Sequence, residues 1–251
     1  MLNYRKKGEI IMAGHSEWAN KKHRKEKSDA IRSKIFTKLG REIAVAVKLG
    51  GADPEQNPKL AGIILKAKAN NMPNDNIARS IKNAAGLDDK TQYEEVTYEC
   101  YGPHGTAFIV NCLTDNKNRT AGEVRHAFDK SGGSMGTNGC VSFMFDRKGV
   151  IVVDNKENKS EDDFMMDALE QPVLDIINNE TEFVAYTEPS NLELARKGLA
   201  DAGYTITKAQ IEMVPQNYVE LDDEKLESFE KLLERLDDCD DVQEYFYNVD
   251  Y

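Results

Sequence analysis

The sequence predicts an α+β protein, with a basic helical domain first and then two α+β units, one inserted in the other. Three observations predict it. Apolar residues recur at helical spacing from Ser28 to Gly86. After about residue 92 the pattern changes to short apolar or alternating runs between Gly- and Pro-containing turns, in the order ββα and then βαβ. Charge divides at the same place: residues 1–90 carry 19 Lys/Arg against 10 Asp/Glu, and residues 91–251 carry 14 against 34. The net charge of -11 therefore conceals a basic end suited to a polyanion and a body that phosphate should avoid.

The 251 residues suffice for two or three small domains. No apolar run approaches the roughly 20 residues that span a bilayer, and IAVAV (43–47) and AFIV (107–110) are among the longest. The N-terminal side lacks the apolar stretch of a secretory signal. Cys100, Cys112, Cys140 and Cys239 form no CxxC and have no His at finger spacing, which reads as reduced thiols in a cytoplasmic protein.

Residues 1–11, MLNYRKKGEII, share no pattern with the remainder of the chain and read as a translated leader or disordered extension, with Met12 as the native start. A polar segment holds the single tryptophan, Trp18, and the cluster Lys21-Lys22-His23-Arg24-Lys25. From Ser28, Ile31, Ile35, Leu39 and Ile43 recur every four residues, and Phe36 and Val47 widen the stripe. Lys34, Lys38, Arg41 and Lys48 fall within about 80° of one another on the opposite side, predicting a helix with one core face and one basic face. An ordinary solvated face explains such cations on an isolated helix; the adjoining KKHRK run favours phosphate contact.

Gly50-Gly51 stops this helix. Asn57-Pro58 opens a second, with Leu60, Ile63, Ile64 and Ala67 inside, and Asn74-Asp75 a third, with Ile77, Ile81 and Ala85. Lys59, Lys66, Lys68, Arg79 and Lys82 extend the positive surface. No helix-turn-helix with a readable recognition helix is evident.

Glu94–Tyr101 and Thr106–Thr114 read as strands joined by Gly-Pro-His-Gly. The loop Thr114-Asp115-Asn116-Lys117-Asn118-Arg119-Thr120 then opens a helix with Val124, Ala127 and Phe128 inside. Asp115, Asn116, Asn118 and Arg119 fit a binding loop and a helix cap equally well. SGGSMGTNGC (131–140) lacks the GxxxxGK[ST] of a phosphate loop and reads as a hinge or domain crossing. Val141–Phe145 and Gly149–Val153 read as a strand pair around Asp146–Gly149. A helix with Phe164, Met165, Ala168 and Leu169 comes next, then a strand at Glu182–Tyr186, a helix at Asn191–Ala202 and a strand at Thr205–Val214. A helix bearing Leu226, Phe229, Leu232, Leu233 and Leu236 and a strand at Val242–Val249 close the chain.

Catalytic and metal motifs are missing from the sequence. His15, His23, His104 and His126 form no HExxH, and Ser and Cys lack a nucleophile elbow. The pairs Asp162-Asp163, Asp222-Asp223, Asp237-Asp238 and Asp240-Asp241 read as solvated residues at helix ends. No cofactor or metal is expected and a non-enzymatic role is favoured; the less favoured alternative is an enzyme using a cleft between the α+β domains, with Asp115, Asn116, Asn118 and Arg119 as its candidates, and the oligomeric state is left open, a monomer included.

The segments AGHSEW, KIFTKLGREIAVAVKLGG, NPKLAGIILKAKANNMPNDNI, YECYGPHGTAFIVNCLTDNKNRTAGEVRHAF, SGG and FDRKGVI resemble the YebC family from Met12 nearly to the C-terminus. That resemblance implies a helical N-terminal domain followed by two ferredoxin-like α+β domains, one inserted in the other. The expected boundaries are 12–92 for the helical domain, 93–134 with 205–251 for the discontinuous domain, and 135–204 for the insert. It implies DNA binding and transcriptional control for some members and, for others, relief of ribosome stalling at proline-rich stretches. Family members usually carry Lys at Glu17, an apolar residue at Lys21, and YGPGG where this chain has YGPHG with His104. The expected nucleic-acid contacts are Lys21, Lys22, His23, Arg24, Lys25, Lys34, Lys38 and Arg41, with DNA or ribosomal RNA as partner and no membrane. Trp18 either stacks on a base or, the commoner use of such a residue, anchors a core.

Overall fold

The computed structural model describes residues 28–86, 92–154, 160–179 and 181–250. They form two compact units, one comprising 28–142 with Leu221–Tyr247 and the other 143–220 with 248–250.

The first unit begins with three helices, α1 (Ser28–Gly50), α2 (Pro58–Ala69) and α3 (Asn74–Ala85). Their shared core is Leu39, Ile43, Ala46 and Val47 of α1, Leu60, Ile63 and Ala67 of α2, Met72 of the connection, and Ile77 and Ala84 of α3. Ala84 is the buried alanine of α3, whereas the expected Ala85 is exposed; the helical turn places residue 84, seven after Ile77, on the inner face. Gly51 takes the left-handed conformation (φ 88°) and donates to the Val47 carbonyl at 2.8 Å, ending α1. Asn57 locks the corner: its Oδ1 accepts from the Leu60 N–H, and its Nδ2 donates to the carbonyls of Ala46 and Gly51, each at 2.8 Å.

Strands β1 (Glu94–Tyr101) and β2 (Ala107–Thr114) form the predicted hairpin, with Glu94 opposite Thr114 and Tyr101 opposite Ala107. Helix α4 (Lys117–Asp129) follows, and the short β3 (Ser134–Met135) pairs with the end of β1. Helix α7 (Asp223–Asp238) and strand β9 (Val242–Tyr247) return from the far end of the chain, giving the antiparallel order β3-β1-β2-β9. Phe108 packs against Phe128 of α4, Phe229 of α7 and Tyr247 of β9, with ring centroids 5.3–5.7 Å apart. The return of the C-terminal segment is thus fixed by aromatic packing.

The second unit runs β4 (Phe145–Asp154), α5 (Glu161–Leu169), β5 (Val173–Asn179), β6 (Glu182–Thr187), α6 (Leu192–Asp201) and β7 (Ile206–Pro215). The antiparallel sheet order is β5-β6-β4-β7, which with the βαββαβ order is the ferredoxin-like arrangement. Ile151, Val153, Phe183 and Ala185 on one sheet face meet Phe164, Ala168, Leu192, Ala195 and Leu199 of the helices. The two-residue β8 (Val219–Glu220) and β10 (Val249–Asp250) pair in parallel.

The α+β class and the helical-then-sheet order are those expected, and four details differ. Asp146–Gly149 is not a turn: β4 runs straight through it, pairing from Phe145 to Val153 with β7, and Val141–Met144 lies outside the sheet. Gly149 serves close approach instead, since a Cβ there would collide with Thr187 Oγ1. Strand β5 is an addition to the expected elements, because its run VLDIINN is half polar. The expected strand at 205–214 belongs to the inserted sheet through its pairing with β4, and 135–142 stays with the first unit. The last expected strand is two strands, β9 and β10, in different units.

Candidate nucleic-acid interface

Lys21, Lys22, His23, Arg24 and Lys25, with Trp18, lie outside the described residues. The rest of the expected basic surface begins on α1, where Lys34, Lys38 and Arg41 follow one another at helical spacing. This stripe does not face open solvent as expected. Lys34 pairs with Asp238, and Arg41 donates to Asp241 Oδ1 at 2.5 Å and to the Asp240 carbonyl at 2.6 Å. The Arg41 guanidinium also lies 5.9 Å from the Tyr93 ring centroid. The charge of Lys38 acts on the thiols of Cys112 and Cys239. The cause is a long-range one: the acidic run Asp237-Asp238-Cys239-Asp240-Asp241, from the last turn of α7 to the start of β9, passes beside α1.

Asp241 is the node of this contact. Its side chain is 2% exposed and accepts from Arg41, from Arg119 Nη2 at 2.7 Å, from Thr120 Oγ1 at 2.6 Å and from Thr114 Oγ1 at 3.0 Å. Burial pushes the carboxyl pKa up; the bonds from Thr120, Arg119 and Thr114 and the charge of Arg41 outweigh it and hold it below the ordinary value. Arg119 is held more firmly protonated by its bonds to Asp241 and Asp115. The expectation that Asp241 is a solvated helix-end residue is therefore corrected: it is buried and carries four side-chain donors.

The loop Asp115–Arg119 is built into the same node. Asn116 caps α4 by accepting from the Arg119 N–H at 3.1 Å, and its own N–H donates to Thr114 Oγ1. Asp115 accepts from Arg119 at 2.7 Å, while Asn118 is solvent-exposed. Of the two readings of this loop, capping and tethering describe what these side chains do. Beside it a cleft of about 670 Å³ is lined by Arg41, Arg119, Arg235 and His126 together with Glu123, Asp238 and Asp240. Its mixed charge suits neither a lone phosphate nor, among the described residues, a metal ion, for which no cluster of three acidic, His or Cys ligands is present.

The cations of α2 and α3 fall into two groups. Lys59 pairs with Glu95 at 3.6 Å, and Lys66 with Glu42 at 2.9 Å. Lys68, Arg79 and Lys82 are exposed and form no ion pair among the described residues. These three are the side chains of α2 and α3 that remain available to an external anion.

Glu99 of β1 shows what the glycine-rich segment does. Its carboxylate accepts the backbone N–H groups of Gly139, Val141 and Ser142 at 2.7, 2.8 and 2.7 Å. Burial raises the carboxyl pKa, yet these bonds outweigh it and hold it below its usual value. The segment is thus a folded anion nest occupied by the protein's own carboxylate, immediately before the chain crosses into the second unit.

Comparison with known proteins covers nearly all of the chain. Residues 16–87 match the family described as the TACO1/YebC protein N-terminal domain, and residues 93–249 match the TACO1/YebC second and third domain. A "Probable transcriptional regulatory protein" of Acetivibrio thermocellus is 56% identical over 238 residues, covering 94% of this chain and 98% of that protein. A protein of the same description from Lachnoclostridium phytofermentans is 54% identical over 241 residues, covering 95% and 100%. A solved structure of a conserved hypothetical protein from Aquifex aeolicus matches with a TM-score of 0.78 at 46% identity, covering 93% of this chain and 96% of that one. No described helix is long and apolar enough to cross a membrane. With the helical domain and both sheet units matched in chain order, the chain belongs to the TACO1/YebC family.

Proposed function

We propose that this protein is a nucleic-acid-binding regulatory protein, a DNA-binding transcriptional regulator that works by binding rather than by catalysis. The observation that carries the reading is the division of charge. Residues 1–90 hold 19 of the 33 Lys/Arg, among them the Lys21–Lys25 run and the exposed Lys68, Arg79 and Lys82. The remainder carries 34 Asp/Glu and repels phosphate. The description of the relatives as probable transcriptional regulatory proteins points the same way. A role without catalysis is supported by the Asp115–Arg119 loop, where Asp115, Asn116 and Arg119 spend their hydrogen bonds on the fold.

One observation favours a second reading, a ribosome-associated translation factor on ribosomal RNA. Among the described residues, Lys34 and Arg41 of the α1 stripe are engaged by aspartates, and the exposed cations of α2 and α3 are Lys68, Arg79 and Lys82, a set suited to phosphate contact rather than base reading. Cross-linking in cells followed by sequencing of the bound nucleic acid separates the two. Enrichment of promoter DNA supports the first reading; ribosomal RNA with little DNA replaces it with the second; neither above background removes both.

A further inference from the structure

The acidic run at the end of α7 stands in an electrostatically unfavourable place. The C-terminal end of a helix carries partial negative charge and favours cations, yet Asp237 and Asp238 occupy the last turn of α7, and Asp240 and Asp241 come directly after it. Four carboxylates so arranged repel one another and the helix end unless cations are set against them. Arg235 stands in the last turn and Arg119 on Asp241; the α1 stripe supplies the others, Lys34 on Asp238, and Arg41 on Asp241 and the Asp240 carbonyl. Asp237 accepts instead from the Tyr245 hydroxyl at 2.9 Å.

The two ion pairs differ in depth. Arg41 and Asp241 are 18% and 2% exposed and are permanent parts of the unit. Lys34 and Asp238 are 38% and 70% exposed, so their pairing is cheap to exchange for another anion. The buried pair holds the acidic run against α1; the exposed pair leaves the Lys34 ammonium within reach of an external anion.

We propose that the Asp238 carboxylate is a built-in phosphate substitute, an autoinhibitory contact that occupies Lys34 on the basic stripe of α1 until nucleic-acid phosphate displaces it. The inference rests on the nucleic-acid-binding reading above and adds its regulation: Lys34 contributes to binding only after exchange, so weak or brief encounters are disfavoured. The buried Asp241 is not displaced.

The test is the affinity of the full chain for two labelled probes, a short mixed-sequence DNA duplex and an RNA hairpin, measured by fluorescence anisotropy at low salt. Asp238→Asn should tighten binding of the preferred probe by about 3-fold, the scale of one exposed pair removed. A control with the same charge change, Asp162→Asn, an exposed residue of the second unit, should stay within about 1.5-fold. In a Lys34→Ala background the gain from Asp238→Asn should vanish, a result that general charge neutralisation does not produce. Equal gains in variant and control, or no gain although the wild type binds, overturn the inference alone. Absence of binding by wild type and variant alike overturns it together with the binding reading. Binding by the variant alone supports strong autoinhibition. Unchanged circular dichroism excludes misfolding as the cause.

Discussion

The two ends of α7 place acids in opposite electrostatic settings and handle them differently. At its start, Asp222 caps the helix by accepting from the Lys225 N–H at 3.0 Å, with the Lys225 ammonium on its other oxygen at 2.6 Å. Those bonds hold the Asp222 carboxyl below its ordinary pKa, with the side chain in solvent. The helix itself satisfies acids there. At its end, the Asp241 carboxyl is held below its ordinary pKa only through Thr114, Thr120, Arg119 and Arg41, drawn from β2, α4 and α1. A carboxylate in the wrong place must recruit distant partners and so becomes a tertiary tie. The same chemistry is local at one end and joins the helical domain to the sheet at the other.

The largest break in this comparison is Asp241→Asn. It leaves two guanidinium groups facing a neutral amide in a buried node and should lower unfolding stability by about 3–5 kcal/mol in urea titrations. The pH sign follows from the depressed carboxyl: the stabilisation is present above the unfolded pKa, about pH 4, and is lost as pH falls through the lower folded value. The variant should therefore show a flatter acid limb than wild type. Equal acid limbs would place the acid sensitivity elsewhere.

A smaller break is Glu99→Gln, which replaces a carboxylate bound by three backbone N–H groups with a single amide oxygen that serves them less well. A loss of about 1–3 kcal/mol is expected, with faster hydrogen exchange at Gly139, Val141 and Ser142. Unchanged exchange there would show that the loop holds without its anion. Asp222→Ala should cost less than either, and its effect should stay local, as faster exchange in the first turn of α7 with the Asp241 node intact. Smallest is Asp238→Asn alone, expected within about 0.5 kcal/mol because the pair is exposed. A larger loss would move Asp238 from the exchangeable class to the structural one.

Local pattern carries most of the fold. The stripe Leu39, Ile43, Val47, the Gly50-Gly51 stop and the Asn57-Pro58 start all encode their structure within a few residues, and all sit where the pattern puts them. The Asp146–Gly149 segment misleads because its turn-forming residues lie in a strand held by β7, some sixty residues away. For the same reason the sequence alone puts β7 in the wrong sheet: strand pairing is long-range, and period-2 alternation does not name a partner.

Less of the candidate interface is legible. Helical spacing correctly puts Lys34, Lys38 and Arg41 on one stripe but carries no information on what faces it. The aspartates that do face it lie about two hundred residues beyond Lys34. A signal is nevertheless present: acids packed around the last turn of an amphipathic helix contradict the helix dipole, and such a local conflict calls for a tertiary partner. Asp241 reads as one solvated acid among several, since nothing in its neighbours distinguishes it from Asp240. His104 adopts φ 60°, a conformation that glycine accepts without strain. Its ring lies 2.7 Å from Ser228 Oγ of α7, a contact that offsets the strain.

The most direct test of phosphate binding by the N-terminal basic segment is the salt dependence of nucleic-acid affinity. Wild type and a Lys22→Ala, Arg24→Ala, Lys25→Ala variant should be titrated with the same DNA duplex and RNA hairpin across a range of salt. The variant is expected to bind more weakly, with its log–log slope reduced by about 2–3 units, one for each phosphate contact removed, and with unchanged thermal stability. A slope identical to that of wild type would contradict phosphate contact by this segment and place the binding surface elsewhere.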